Sequence, residues 1–270
     1  MPAMAYSLDG KHVLITGSSA GIGAALAVGF AERGATIGLC GRREDKLAEV
    51  LERVQKHAPD SRSWIIDLND LEGIAGFATD VEQQLGGVDM LVNNAGIPKR
   101  RHVTRLDPET VESVMRINYF SPIRLTLALL PGLIERDGRI VNISSVAARL
   151  GPPIEAAYGA SKAALTAFSE SMVVDLRDTN VLVHVVNPGV FDTELFHLPD
   201  NEPGYHEGTP MEPVESIVEP IVAQIEAGTF ETYVPAWFKD VAINKFNDPD
   251  AFFIGTKAYA TEMEAKLAKS

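Results

Sequence analysis

Short apolar runs alternate with helix-like segments along most of the chain. Six runs are apolar almost without interruption: HVLITG, TIGLCG, SWIIDL, DMLVNNAG, RIVNISS and VLVHVVNPG. Strands that are buried on both faces of a parallel sheet have this character, whereas half-exposed strands alternate apolar and polar residues. Helical patterns lie between the runs, at residues 22–33, 44–57, 70–85, 108–135 and 156–178. We therefore predict an α/β fold, with a doubly wound parallel sheet and right-handed crossovers in a single domain.

Two segments depart from this alternation. Residues 194–213 are rich in Pro, Gly and acidic residues, which predicts a mobile loop carrying a short helix. A late run, ETYVPAW, is a candidate seventh strand, and residues 238–270 form a tail beyond it that ends in a predicted helix.

Charge and cysteine content exclude several classes of function. The net charge of −13 argues against a nucleic-acid or anionic-membrane partner, because an acidic surface is repelled by both. The single cysteine, Cys40, has no intrachain partner for a disulfide, and the first residues lack the pattern of a signal peptide. The apolar run IRLTLALLPGLIE is too short to span a bilayer, and the six histidines have no metal-ligand spacing. We expect a cytoplasmic protein without a metal site.

A glycine-rich motif, TGSSAGIG, follows the first predicted strand and precedes a helix. Gly17 permits a tight turn, Gly21 lets the backbone approach a pyrophosphate, and Gly23 allows the helix to pack closely on the sheet. The N-terminus of the helix favours phosphate through its free N–H groups and its dipole. The motif predicts a nucleotide-binding loop formed by Gly17, Ser18, Ser19, Ala20, Gly21, Ile22 and Gly23.

The segment AAYGASKAAL places Tyr158 and Lys162 four residues apart among small neighbours, so both side chains lie on one helix face. A phenol has a pKa of about 10, and lowering it to near 7 requires about 4 kcal/mol. An ammonium group about 4 Å away supplies about that much at an effective dielectric near 20. We expect Lys162 to lower the pKa of Tyr158, and the small neighbours to leave room for a flat ring and a substrate. The alternative is a core tyrosine beside a surface lysine.

Six motifs occur in order: TGSSAGIG, NNAG at 93–96, Asn118 in RINYF, ISS at 143–145, YGASK at 158–162 and NPGVFDT at 187–193. Together they resemble the short-chain dehydrogenase/reductase family, in its compact single-domain branch, over residues 8–195. The resemblance implies a Rossmann-type domain over residues 1–270 that binds NAD(P) and interconverts a carbonyl and a secondary alcohol. It also implies that the segment 194–213 is the substrate loop.

The resemblance implies four catalytic residues. Tyr158 is the general acid or base, Lys162 binds both the tyrosine and the nicotinamide ribose, and Ser145 hydrogen-bonds the substrate oxygen. Asn118 holds a water molecule in a proton relay. The residues themselves leave alternatives open, because Ser144 and Ser145 could merely terminate a strand and Asn118 could be a local kink or cap. The family often has glycine where this chain has Ala148.

The remaining cofactor contacts follow by matching positions. Asp67 and Leu68 are expected beside the adenine, and Asn93 within the sheet as a structural hydrogen-bonding residue. The ribose and nicotinamide side is expected to be lined by Asn94, Ala95 and Gly96, together with Tyr158 and Lys162. Phe191 and Thr193 are expected to meet the carboxamide after the turn formed by Pro188 and Gly189.

The end of the second strand, GLCGRRED, bears on the choice of cofactor. Enzymes that prefer NAD place an acid there to hold the ribose 2′-OH, and this chain has Gly41 followed by Arg42 and Arg43. Arginine is a forked, permanently charged partner for a 2′-phosphate. We predict NADP(H) preference over NAD, with Arg42 the principal contact; the alternative is that both arginines are solvated.

Two other functions are considered. One is a 3-oxoacyl-thioester reductase, for which the basic run PKRRHVTR at 98–105 could attract a phosphate-bearing acyl thioester, although a solvated loop is the simpler interpretation. The other is a non-catalytic NADP-binding sensor or scaffold. The family commonly forms tetramers, and we expect the helices near 108–135 and 156–178 to form one interface.

Overall fold

The computed structural model describes residues 6–198, 200–203 and 211–267. Its centre is one seven-stranded sheet in which every pair of neighbouring strands is parallel, in the order β3-β2-β1-β4-β5-β6-β7. The predicted doubly wound fold and the seventh strand are both confirmed. The strands are β1 His12–Thr16, β2 Thr36–Gly41, β3 Arg62–Ile65, β4 Met90–Asn93, β5 Arg139–Ile143, β6 Leu182–Pro188 and β7 Glu231–Val234.

Helices cover both faces of the sheet. Neighbouring strand residues point to opposite faces, so Val13 and Ile15 pack with α1, α2 and α8, while Leu14 packs with α3, α5 and α7. The helices are α1 Gly21–Ala31, α2 Glu44–Gln55, α3 Ile74–Leu85, α4 Pro108–Met115, α5 Ser121–Glu135, α6 Ala147–Leu150, α7 Ala156–Asp175, α8 Val218–Ala227, α9 Phe238–Asn247 and α10 Pro249–Leu267.

Local sequence explains where α4 begins. The Asp107 side chain accepts a hydrogen bond of 2.7 Å from the Thr110 N–H, and Pro108 occupies the first turn, where its missing N–H is not needed. A π-helical turn, Arg116–Phe120, joins α4 to α5, so the predicted helix over 108–135 is continuous. This turn carries Asn118.

Two expectations need correction. The run SWIIDL was expected to form a fully buried strand, but β3 lies at the edge of the sheet and Ile65 is 54% exposed. The apolar run beginning at Ile123 was expected to be too short to cross a membrane. The continuous helix Pro108–Glu135 is in fact long and apolar enough by composition, but Leu125, Leu129 and Leu133 pack in the core. We therefore describe it as a core helix.

The fold brings the carboxyl ends of β1, β4, β5 and β6 to one edge of the sheet. The strand order reverses between β1 and β4, and ligands of open α/β sheets bind at such a point. Four of the six motifs follow these strands, and YGASK lies on α7 beside them. Asn118, on the π-helical turn, contacts Ile97 directly after the NNAG motif, so the candidate site is at this edge.

Candidate active site

The glycine loop is held rigidly between β1, β2 and β4. The Ser18 hydroxyl accepts a hydrogen bond of 3.0 Å from the Cys40 N–H, and the Asn94 amide donates to the carbonyl oxygens of Thr16 and Gly17 at 2.9 and 3.1 Å. Ser18 and Asn94 therefore position the loop.

The loop has no room for side chains at two of its glycines. A Cβ atom at Gly17 would lie 2.8 Å from the Cα of Ala95, and one at Gly23 would lie 2.5 Å from the Asn94 amide nitrogen. Gly17 also has a φ of 65°, which glycine adopts without strain. The bare backbone followed directly by the N-terminus of α1 suits a pyrophosphate, so these residues fit a dinucleotide.

Arg43 lies just beyond the end of β2, beside the glycine loop. Its guanidinium donates to the Ser19 hydroxyl at 3.1 Å and to the Glu194 carboxylate. Arg42 is also exposed at this end of the sheet. A Cβ atom at Gly41 would have its nearest neighbour at 3.6 Å, in Leu47, so a side chain is sterically tolerated there.

Lys162 and Asn118 flank Gly96. The Lys162 ammonium is buried and donates to the Ile143 carbonyl at 2.8 Å, and burial lowers its pKa to about 8. Asn118 is fully buried, accepts from the Ile97 N–H at 2.8 Å and donates to the Ile97 carbonyl at 3.0 Å. A Cβ atom at Gly96 would lie within 3.4 Å of both side chains, so glycine keeps this space open.

The Ser145 side chain lies beside the Tyr158 phenol. Loss of surrounding water and the Glu155 carboxylate raise the pKa of Tyr158 to about 12, against the opposing effects of Ser145 and Arg100. Tyr158 is therefore protonated at neutral pH and can donate a proton. Its ring remains partly exposed to the cleft.

The expected lowering of the tyrosine pKa by Lys162 is absent from this geometry. The Lys162 ammonium lies 5.8 Å from the centroid of the Tyr158 ring, and its hydrogen bond goes to Ile143. The 4 Å separation assumed from the sequence overstated the attraction, and burial has the larger effect on the phenol.

Ser144 and Asn93 are structural. The Ser144 hydroxyl contacts the Thr166 hydroxyl at 2.8 Å and the Lys162 carbonyl at 3.2 Å, facing α7. The Asn93 amide donates to Thr126 and to Asn142, at 3.0 and 2.8 Å, inside the sheet layer. Of the two adjacent serines, only Ser145 contacts Tyr158 among the contacts found in the described part of the chain.

The other residues predicted to contact the cofactor lie partly at the cleft and partly in the core. Thr193 approaches the glycine loop, 3.2 Å from a Cβ position at Gly21. Phe191 was expected to meet the carboxamide, but its ring is 1% exposed in the hydrophobic core, so its side chain does not line the cleft. Asp67 and Leu68 follow β3. Strand β6 ends at Pro188, whose carbonyl oxygen accepts a hydrogen bond of 3.0 Å from the Val146 N–H, and Gly189 follows it beside the Phe238 ring.

The basic run does not form a free cationic surface. Lys99 pairs with Asp200, and Arg105 donates twice to Glu202, at 2.9 and 2.7 Å. The run is therefore joined to the described part of the substrate loop. The rest of the predicted loop, residues 199 and 204–210, lies outside the described residues, as does the end of the tail at 268–270.

The sequence analysis missed a buried ion pair beside the phenol. Arg100 is 3% exposed, and its Nε donates to the Glu155 carboxylate at 2.7 Å. The basic run indicated a concentration of positive charge, but Glu155, the partner of Arg100, lies 55 residues away along the chain. Among the described residues, no group of three or more His, Cys, Asp or Glu side chains could hold a metal ion.

Comparisons with known proteins agree with this geometry. The family model described as short chain dehydrogenase matches residues 11–202. A short chain dehydrogenase of Pseudocercospora fijiensis is 36% identical over 192 residues, which are 70% of this chain and 62% of that protein, so the chain spans less than two thirds of its relative's length.

Solved structures share the fold. A short chain dehydrogenase from Burkholderia cenocepacia in complex with NADP is 28% identical, with a TM-score of 0.79 over 93% of this chain and 99% of that one. A short chain dehydrogenase/reductase from Burkholderia phymatum in complex with NAD has a TM-score of 0.83 over 91% and 96% of the two chains; at 19% identity it supports the fold alone. With a family model that covers most of its length and the six motifs gathered at one edge of a Rossmann-type sheet, the chain belongs to the short-chain dehydrogenase/reductase family of oxidoreductases.

Proposed function

We propose that the protein is an NADP(H)-dependent oxidoreductase that interconverts a carbonyl and a secondary alcohol. The observation that carries this proposal is the placement of the Tyr158 phenol beside the Ser145 hydroxyl, with the buried Lys162 ammonium 5.8 Å from the centroid of the tyrosine ring. A proton donor beside a second hydroxyl donor suits an oxygen atom that gains negative charge during reduction.

Each side chain has a separate task in this mechanism. A nicotinamide held at the glycine loop and Lys162 would supply or accept the hydride. Tyr158 delivers its hydroxyl proton to the carbonyl oxygen, and Ser145, which accepts from the Ala147 N–H at 3.1 Å, orients that oxygen. Lys162 would hold the nicotinamide ribose, and its charge would favour return of a proton to Tyr158. Asn118 fixes the backbone of Ile97 next to this lysine.

The preference for NADP(H) rests on charge at the end of β2. Gly41 offers no carboxylate to repel a 2′-phosphate, and the Arg43 guanidinium is fixed on the glycine loop through Ser19. We assign the principal contact to Arg43, with Arg42 beside it. A cytoplasmic location is part of the proposal, supported by an acidic chain whose single cysteine is buried.

The pH dependence of reduction should report on Lys162. Its pKa of about 8 means that the side chain is charged at pH 7 and neutral above pH 9. We expect kcat/KM for carbonyl reduction to be constant from pH 6 to 7 and to fall about tenfold per pH unit well above pH 8, because one proton is lost. Initial rates at constant ionic strength test this, with circular dichroism at each pH as the control for folding. A profile that stays flat to pH 10 would exclude the assigned role.

The assembly should be a symmetric tetramer. Phe120, Leu127 and Ile134 are exposed at intervals of seven residues along α5 and the turn before it, so they lie on one face. Val173 and Val174 on α7 are also exposed. Light scattering at micromolar concentration should give about four times the 29.2 kDa chain mass, and Leu127→Arg should reduce it. A monomeric wild type would rule this interface out.

The experiment that tests the proposed function is oxidation of NADPH, followed by absorbance, with a panel of ketones, aldehydes and 3-oxoacyl thioesters. Turnover of ketones is expected, because their reduction gives a secondary alcohol, and turnover of aldehydes alone would contradict the proposed substrate class. Turnover of thioesters alone would favour the thioester reductase. The basic run does not support that function, because Lys99 and Arg105 are already paired with Asp200 and Glu202. Tight NADPH binding without turnover of any compound would favour the sensor or scaffold.

A further inference from the structure

The ion pair between Arg43 and Glu194 joins the two sides of the cofactor groove. Arg43 follows β2 and caps the N-terminus of α2, while Glu194 follows β6 and begins the substrate loop. Their side chains meet at 2.5 Å, although their strands are separated by three others in the sheet. The groove beneath the pair is an open cavity of about 530 Å³ between Arg43 and Asp192, Thr193, Glu194 and Leu198.

The same guanidinium is the proposed ligand of the 2′-phosphate. One of its terminal nitrogens is occupied by the Ser19 hydroxyl and the other by the Glu194 carboxylate. A phosphate monoester binds arginine through two parallel hydrogen bonds, and the Glu194 carboxylate competes with it for the N–H groups of this guanidinium. A carboxylate that stays near the guanidinium also repels the phosphate, which carries between one and two negative charges at pH 7.

We propose that Glu194 is a specificity-determining residue that competes with the cofactor's 2′-phosphate for Arg43, and so weakens NADP(H) binding selectively. The inference rests on the proposed NADP(H) preference. NAD(H) presents a neutral 2′-hydroxyl and gains little from Arg43, so its binding does not require the ion pair to open. Glu194 therefore reduces the preference for NADP(H) over NAD(H) that Gly41 and Arg43 create.

The size of the effect follows from exposure. Both side chains are about half exposed, at 47% and 54%, and exposed ion pairs contribute at most about 1 kcal/mol. That energy corresponds to a factor of about five in affinity, because a tenfold change is about 1.4 kcal/mol. We therefore expect Glu194→Gln to tighten binding of 2′-phosphorylated ligands about three- to fivefold and to change other affinities by less than about 1.5-fold.

Calorimetric binding of two fragments isolates the 2′-phosphate from the nicotinamide. Adenosine 2′,5′-bisphosphate and AMP, which differ only in the 2′-phosphate, are titrated into wild type and Glu194→Gln, and NADPH and NADH into the same two proteins. Glu219→Gln is the matched control, because it removes one exposed carboxylate from another surface pair, with Arg33, outside the groove. In an Arg43→Gln background, the effect of Glu194→Gln should disappear.

The outcomes separate this inference from the proposed function. Selective tightening for adenosine 2′,5′-bisphosphate and NADPH that depends on Arg43 supports it. Unchanged affinities, equal tightening of all four ligands, or the same change in Glu219→Gln would overturn it while leaving the NADP(H) preference intact. A wild type that binds adenosine 2′,5′-bisphosphate no more tightly than AMP would overturn the preference, and this inference with it.

Discussion

Replacing Tyr158 by phenylalanine should lower kcat for carbonyl reduction about a thousandfold and leave the fold and NADPH affinity unchanged. Phenylalanine keeps the ring and its packing and removes only the hydroxyl that lies beside Ser145. General acid catalysis by a positioned side chain contributes between about a hundredfold and ten-thousandfold, so removing the donor should cost that much. The measurements are kcat with the best substrate of the panel, the thermal midpoint and the calorimetric Kd for NADPH.

The matched control for this variant is Tyr119→Phe. Tyr119 is also half-buried and packs edge-on against Phe120 and Phe168, away from the glycine loop and Ser145. The Tyr119→Phe variant makes the same chemical change and leaves the proposed donor intact. Its kcat should stay within about twofold of wild type, because substitutions away from special features usually have small effects. If Tyr158→Phe retained comparable turnover, Tyr158 would lose its assigned role.

The double variant Gly41→Asp/Arg43→Leu should invert the cofactor preference. The aspartate supplies a partner for the ribose 2′-OH, and it repels a 2′-phosphate that has lost its arginine. The space at Gly41 accepts the new side chain without close contacts. A hydrogen bond to a charged group contributes about 1.5–3 kcal/mol, so kcat/KM with NADPH should fall about a hundredfold, and that with NADH should rise.

Arg42→Leu is the control that separates the two adjacent arginines. Arg43 contacts Ser19 on the glycine loop, whereas the sequence alone favoured Arg42. We therefore expect Arg42→Leu to change the ratio of the two efficiencies less than Arg43→Leu does. A wild type that prefers NADH, or a double variant with an unchanged ratio, would remove the assignment of NADP(H).

The sheet could be predicted because the signals for it are local. Continuous apolar runs such as HVLITG mark buried strands, and parallel pairing follows from the helices between them. The same rule was wrong for β3, because the apolar run at Trp64 and Ile65 does not tell a central strand from an edge strand, which is decided by the order of the strands in space.

The sequence predicts which residues form the site better than it predicts their pKa values and contacts. Spacing brought Tyr158 and Lys162 to one face, but the pKa of each depends on burial and on partners from distant segments. The Arg100–Glu155 pair and the Arg43–Glu194 pair join residues 55 and 151 positions apart, and no local pattern announces such contacts. Phe191 was placed beside the cofactor by its motif, yet its ring completes the core.

We propose that this chain catalyses hydride transfer between a nicotinamide and a carbonyl carbon, with Tyr158 as the proton donor. The most direct test uses NADPH deuterated at both C4 positions, with the carbonyl compound that wild type turns over, and mass spectrometry of the product. We expect one deuterium atom on the carbon that carries the hydroxyl group of the new secondary alcohol. We expect Tyr158→Phe to form almost none of this deuterated product. An alcohol without deuterium, or NADPH that binds but is not oxidised with any carbonyl compound, would contradict it.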